Sequence, residues 1–473
     1  MRGADTVETL GKPAWLQAID DFFYKPAFFF LVAALTVVAN VLGAEFFTYT
    51  VFVGIAVYLC LFGRDLLPIM PMAVCCYIAP SRDNNPALND GTIFSRQGGG
   101  SYIMALAVIL VLALIYRLIR DPELGRTAFF KCKRKLIWGM VALCAGYFLS
   151  GIGSGQFAEV WQQNLLFAAF QGLPIIGFYC IFTALVKWDK APADYLAWTG
   201  MCIGYVILGE IVNICIRYNI IQDGSIVRDD FFTGWGGSNN MGTLLAMMIP
   251  FCFYLADKRK HNSVFFLSGL LFLAGVFFTC SRGAILFGVV AYLASYMISL
   301  IHSHNARANA AIHIITVAAG ILVLQLYPET IRHLFHNLLQ RKLDPSGRDE
   351  LYIAGWQQFL NAPLFGSTFF PVDYPPHIWS YPETFDSLCP PLWHNTVIQL
   401  LASCGIVGLA AYSFHRFQTL HLFFRRPTGE KMFAFVSVLT LLLASLLDCH
   451  FFNIGPTLFY SMALAFVEKR LDS

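Results

Sequence analysis

Four polar features interrupt a chain built mostly of apolar runs, and each contains residue types that do chemistry. "TCSRGA" puts Arg282 between two hydrocarbon-rich stretches, and "SGRDEL" puts Arg348 beside Asp349 and Glu350. "WHN" puts His394 and Asn395 at the head of another apolar run, and "GWGGSNN" puts a glycine-rich segment ahead of Asn239 and Asn240. A guanidinium is a planar fork of donors suited to a phosphate or diphosphate. Two of them stabilise a multiply charged leaving group better than one. An imidazole at a helix N-terminus is held neutral by the dipole and can take a proton from a hydroxyl. Plainer readings stand beside these: a snorkelling flank for Arg282, an exposed salt bridge for Arg348 and an interfacial polar group for His394. Asn395 orients the ring, binds substrate or simply caps a helix, and the glycines form an anion nest or only a tight turn entering a helix that Asn239 or Asn240 caps.

The elements that must position these residues follow from composition. Of 473 residues, 57% are hydrophobic and 13% charged, with mean hydropathy +0.61; an ordinary soluble domain is roughly 25% charged. The apolar runs are about twenty residues long, the length a helix needs to cross roughly 30 Å of hydrocarbon. An all-α polytopic membrane protein of about 12 to 14 transmembrane helices is expected, not a barrel of alternating strands. The first 25 residues are polar and acidic, so the first span should insert uncleaved. Thirteen cysteines, most of them inside apolar runs, read as small hydrophobes. No His/Cys spacing suggests a metal, and no cofactor is expected. The chain divides into N-terminal spans, 1–234, and a C-terminal set, 235–473, which contains the polar features and a long connection, 328–392.

Lys and Arg accumulate on the cytoplasmic side of a membrane. Arg117, Arg120, Arg126, Lys131, Lys133, Arg134 and Lys135 crowd one connection, and Lys187 and Lys190 another. Lys258, Arg259 and Lys260 mark a third, and Arg416, Arg425, Arg426 and Lys431 a fourth. With the expected spans, all four fall on one side together with both termini. The opposite, outward side receives "YNIIQDGSIVRDDFFTGWGGSNN" with Arg228, the short Arg282 turn and the long connection. There the positive-inside rule works against a casual arginine, which favours a site for Arg282. Within the long connection, Leu351, Tyr352, Gly355, Trp356, Phe359 and Leu360 recur at helical spacing. Ser346 with Asp349 reads as its cap and Pro363 as its stop, predicting an amphipathic helix on the membrane surface. A rival signal is Glu210 with Asn213 and Arg217 inside a span, since intramembrane carboxylates mark ion pathways. A secondary transporter is therefore the alternative from another class, although its polar groups should occupy the midplane of several spans.

The order "SRGAILFGVVAYL", a span, "GRDELYIAGWQQFLNAPLFG" and then "HNTVIQLLASCGIVGLAAY" resembles the O-antigen ligase and polymerase superfamily of bacterial membrane glycosyltransferases over about residues 235 to 415. In that family an Arg and a Trp precede a Pro and a Gly, as Arg348, Trp356, Pro363 and Gly366 do here. A His-Asn pair then precedes Gly-x-x-Gly, as His394, Asn395, Gly405 and Gly408 do. The resemblance implies a GT-C-like fold and metal-independent, inverting transfer of glycan at the outer face of the bacterial cytoplasmic membrane. The implied partners are an undecaprenyl-diphosphate-linked donor, a glycan, lipid or protein acceptor and membrane lipids, with no nucleic acid. Carried over, Arg282 and Arg348 hold the diphosphate, His394 activates the acceptor, and Trp356, Asn395 and Arg228 contact substrate. Trp379, Tyr381 and Phe385 become the expected readers of acceptor shape. Ligation of a finished glycan and polymerisation of repeat units use the same donor, so both stay open.

Overall fold

The computed structural model describes residues 13–78, 99–121, 135–184, 186, 192–217, 221–222, 225–226, 232–233, 236–258, 264–302, 306–336, 347–370 and 392–472, and the structural findings concern these. α1 (Ala14–Phe22) and α2 (Pro26–Leu42) form a pair bent by 69°. They are followed by α3 (Glu45–Leu61), α4 (Ile69–Ile78), α5 (Gly99–Arg120), α6 (Ile137–Phe148), α7 (Phe157–Ala184) and α8 (Pro192–Arg217). Two short antiparallel ribbons come next, β1 (Ile221–Gln222) with β2 (Ser225–Ile226) and β3 (Phe232–Thr233) with β4 (Gly236–Gly237). The second half comprises α9 (Ser238–Lys258), α10 (Val264–Phe278), α11 (Arg282–His302), α12 (Ala306–Leu326), α13 (Pro328–Leu334), α14 (Arg348–Asn361), α15 (Thr396–Phe424), α16 (Gly429–Ala444) and α17 (Ile454–Asp472). A 3-10 turn, His450–Phe452, joins the last two.

Among the described residues, seven helices are long and apolar enough to cross a membrane, eight when the bent pair counts as one. The protein is thus an all-helical, polytopic membrane protein. Each span read from the sequence corresponds to one of these helices or to a shorter one: α3, α4, α6 and α10 have 10–17 residues, α16 has 16 and α17 has 19. The core is organised around α9, whose residues from Met241 to Ala256 are all buried. A helix apolar on every face has no solvent side to offer, so α8, α10, α11 and α16 surround it. On the other flank α6 packs on α15 and α7 on α17, so the segments 1–234 and 235–473 share one core.

Polar contacts tie matching helix ends together. At one end the Tyr254 hydroxyl donates to Asp194 Oδ1 at 2.6 Å, Lys258 pairs with Asp194, and Ser299 and Asn309 donate to Asp257 Oδ1 at 2.7 and 2.9 Å. The ends carrying Asn239, Ser281, Arg348, His394 and Asp448 gather opposite. Glu210, inside α8, is fully buried and accepts from Asn40 Nδ2 of α2 at 2.8 Å and from Asn213 Nδ2 at 3.4 Å, which makes it a tie between two helices. The Arg217 side chain lies outside the described residues. Arg416 departs from expectation: it is inside α15 and buried, not part of the basic connection that follows it. The run of charge that looked like one cluster is split by the length of the helix.

The amphipathic helix forms as α14, with Leu351, Gly355, Gln358 and Phe359 buried and Trp356 and Leu360 exposed. Its N-cap is Gly347 in the left-handed region (φ 74°), with no side-chain cap; Ser346 lies outside the described residues. The stop falls at Asn361, before Pro363 as the sequence predicts. The turn after it locks onto a break in α15, where Gly405 leaves helical geometry at φ 63°, ψ −160°. Broken backbone inside a membrane protein must find internal partners. Here Ser367 N donates to Ala402 O (2.7 Å), and Ile406 N and Val407 N donate to Pro363 O (2.9 Å) and Leu364 O (3.2 Å). The crossing leaves no room for a side chain: a Cβ on Gly366, itself at φ 74°, would lie 2.2 Å from the Ser403 backbone.

Gly366→Ala should therefore destabilise the protein by roughly 1–2 kcal/mol from the left-handed backbone alone, with the clash added. Gly320→Ala, where an added Cβ meets nothing within 4 Å, should be neutral or slightly stabilising. Thermal unfolding in detergent followed by tryptophan fluorescence checks both; equal transitions for Gly366→Ala and the parent would contradict the locked crossing.

Candidate functional site

The sequence "LLDCHFFN" holds the centre of the site. Asp448, between α16 and the 3-10 turn, is nine-tenths buried. A carboxylate in that position needs several donors, and the protein supplies them from four places. His394 Nδ1 donates to Asp448 Oδ1 at 2.9 Å, as does Cys449 N at 2.7 Å. Asn239 Nδ2 donates to Oδ2 at 2.6 Å, and Arg348 Nη2 pairs with Oδ2 at 3.7 Å. Ser281 Oγ then donates to Asn239 Oδ1 at 2.8 Å, which fixes the amide with its nitrogen toward the carboxylate. Burial alone would raise the Asp448 carboxyl, but the His394 charge and hydrogen bond, with His450 and Arg348, hold it well below the usual carboxylate range.

Each partner is placed by its own element. Arg348 opens α14 and also donates from Nη1 to Leu447 O at 2.6 Å, so it grips the segment by a backbone carbonyl as well as by the Asp448 carboxylate. Trp393 is completely buried beneath α14; a Cβ on Gly355 would strike it and Ile398, so the helix crosses at glycine. His394 follows at φ 50°, a left-handed conformation uncommon for a residue with a side chain and typical of over-determined functional positions. The Tyr352 hydroxyl donates to its carbonyl at 3.2 Å. Asn395 caps α15: its Oδ1 accepts from Val397 N and Ile398 N, and its Nδ2 donates to Leu446 O at 2.8 Å. The plainer reading of Asn395 is the one the geometry favours, and the cap doubles as a clasp on the Asp448 segment.

His450 makes a second, closed contact. Its Nδ1 donates to Asn240 Oδ1 at 2.7 Å, and the Thr243 hydroxyl donates to Nε2 at 3.1 Å. Burial pushes this imidazole below the ordinary histidine value, with Asp448 opposing and Arg348 and His394 adding to the push. His394 differs, because its bond to Asp448 uses Nδ1 and puts the lone pair of the neutral ring on Nε2. That is the orientation of a base held by a carboxylate.

The structure therefore brings Arg348, His394 and Asn395 together. Arg282 begins α11 between two residues that touch the cluster: Ser281 bonds Asn239, and Gly283 faces Leu447. Trp356 lies eight residues beyond Arg348, about 12 Å along the helix; it packs on Phe359 and stays 46% exposed, away from Asp448. Arg228, Trp379, Tyr381 and Phe385 lie outside the described residues. Among the described residues no three His, Cys, Asp or Glu side chains form a group suited to a metal ion. Sequence reading missed Asp448 and His450, although Asp448 is the sole acid between Lys431 and Glu468, and such a lone acid in an apolar stretch is a pointer to function. It also reads Asn239 and Asn240 as helix caps, when both reach across to the Asp448 segment.

Asp448→Asn should destabilise the protein by about 3–5 kcal/mol at neutral pH, because it removes the counter-charge of a buried pair. The folded-state carboxyl is depressed, so its contribution is present above the unfolded value near 3.9 and is lost as pH falls below it. The melting-temperature gap between parent and variant should thus shrink as the pH falls below about 4. A gap that widened between about pH 4 and pH 2 would contradict this assignment.

Residues 266–413 match a protein-family model described as O-antigen ligase. No curated protein matches the chain.

Proposed function

With residues 266–413 matching the O-antigen ligase family, we propose that this protein moves glycan from an undecaprenyl diphosphate carrier to an acceptor hydroxyl or amide at the outer face of the bacterial cytoplasmic membrane. The reading rests above all on one observation: Arg348 and His394, distant in sequence, meet on the buried Asp448 at the bundle end where Arg282 opens α11. Joining of lipid-linked repeat units to one another uses the same donor and the same site, and differs only in the acceptor. The fold belongs on this reading with GT-C-like transferases, with both termini cytoplasmic and the long connection outside.

The chemistry needs little besides these groups. A sugar on a diphosphate already carries a good leaving group, so neither nucleotide nor metal is required. Arg282 and Arg348 take the charge that builds on the diphosphate as the bond from the anomeric carbon to phosphate oxygen breaks. Arg348 has donors beyond the two used on Leu447 and Asp448, since a guanidinium offers five. On the opposite face of the sugar, His394 Nε2 receives the acceptor proton while the acceptor oxygen bonds to the anomeric carbon. Asp448 holds the ring in that tautomer and stabilises the imidazolium that forms. The outcome is inversion, and undecaprenyl diphosphate departs with the electron pair.

The surroundings of Arg282 suit a lipid donor. Leu286, Val290, Leu293 and Met297 follow it along one face of α11 at helical spacing, and all four are exposed. The next helix, α12, is fastened by Asn309 and His313 at the far end, and its consecutive Ile321, Leu322, Val323 and Leu324 are each about half exposed. A prenyl chain below a diphosphate held at Arg282 would meet apolar surface over its whole depth.

Purified protein in detergent, given an undecaprenyl diphosphate oligosaccharide and candidate acceptors, should transfer glycan equally with and without EDTA. His394→Ala should lower the rate by about 10²- to 10⁴-fold, and Arg282→Ala should weaken transfer by a comparable factor. Full activity of His394→Ala removes the proposed base, and loss of transfer in EDTA rules out the metal-free route.

A further inference from the structure

One cation in the bundle has no part in this reaction. Arg416 of α15 is nine-tenths buried, with its guanidinium carbon 4.0 Å from the Phe451 ring, 4.3 Å from Tyr412 and 5.2 Å from Tyr460. Its Nη1 donates to the Tyr460 hydroxyl at 2.7 Å, while Nε and Nη2 are buried and make no hydrogen bond. No acidic side chain pairs with it among the described residues; the groups that bear on it electrostatically are Tyr412, Tyr460 and Tyr147.

The polar atoms around it have the same character. The Tyr460 hydroxyl accepts from Arg416 and is shared with His415 Nε2 at 2.9 Å and the Thr419 hydroxyl at 3.1 Å. His415 Nδ1 is buried and makes no hydrogen bond. Tyr147, wholly buried on α6, also has a hydroxyl with no partner. The region thus combines an obligatory positive charge with unused guanidinium donors and, among the described residues, no carboxylate to balance it. A guanidinium cannot shed its proton, and aromatic faces offset only part of the cost of burying it.

We propose that Arg416 is the seat of a buried site for a small inorganic anion of halide size, held by Nε and Nη2 with the Tyr147 hydroxyl as a further donor. The surrounding side chains are each nine-tenths or more buried, which excludes a lipid headgroup or a sugar phosphate. The anion supplies the missing counter-charge. Because Phe451 stacks on Arg416 and follows His450 in the turn beside Asp448, occupancy also steadies the segment on which the Asp448 network is built. This inference stands independently of the glycan-transfer reading.

The test is thermal unfolding of the detergent-purified protein in chloride or bromide against gluconate at constant ionic strength. A saturable rise in melting temperature with halide is expected for the parent, and none for Arg416→Gln. Tyr147→Phe, which removes one donor and keeps the ring, should raise the half-saturating halide concentration by about tenfold, the worth of one hydrogen bond to a charged group. The parent's own titration decides the matter even if Arg416→Gln does not fold. An unfolding temperature that is the same in gluconate and halide means that water satisfies the donors and overturns the proposal, as does an unchanged halide response in both variants.

Discussion

A buried carboxylate governs this end of the molecule. Asp448 cannot stand in an apolar bundle without several donors, so the start of α9, the start of α14 and the turn before α15 must all come within reach of it, while the turn before α11 fixes the Asn239 amide that donates to it. The restraint works in both directions. Asp448 is kept ionised by what surrounds it, and two groups with chemical potential, the Arg348 guanidinium and the His394 imidazole, are kept in place by Asp448. The left-handed backbone at His394 and the cap at Asn395 become understandable as the means of turning the chain into α15 while pointing a ring at that carboxylate.

Two further devices hold the scaffold on which this depends. The Gly366–Gly405 crossing lets the turn after α14 fill the break in α15 with backbone hydrogen bonds, so the surface helix carrying Arg348 is fixed to the helix that His394 precedes. Trp393, fully buried beneath Gly355, closes the same joint from the other side. Glycine at 355, 366 and 405 thus allows three close approaches, and Gly366 and Gly405 act as joints. The second helix motif glycine, Gly408, serves the approach of α6, whose Gly146 it faces.

Much of this was legible in the sequence because bilayer physics is strict. Twenty-residue apolar runs gave helices at the expected places, and Arg348 and His394 stood out as polar residues where an apolar chain had no local use for them. What stayed hidden was relational. Apart from the next backbone N–H, Asp448 has no partner near it in sequence: the side chains that hydrogen-bond it lie 54 and 209 residues away. Asn239 and Asn240 looked like caps because Asn is common at helix starts, and only packing reveals that both reach across to another segment. Arg416 was assigned to a basic connection because it is close in sequence to Arg425 and Arg426, whereas the helix carries it into the interior.

The central claim is that His394 and Asp448 act as one unit in glycan transfer. A double-mutant cycle with His394→Ala and Asp448→Asn, read as turnover with the lipid-linked donor, tests it most directly. If the unit exists, the double variant is no slower than the slower single variant, because a carboxylate has nothing to orient once the ring is gone. Losses that multiply, each variant slowing the other's background by its full factor, would show two independent residues and contradict the account.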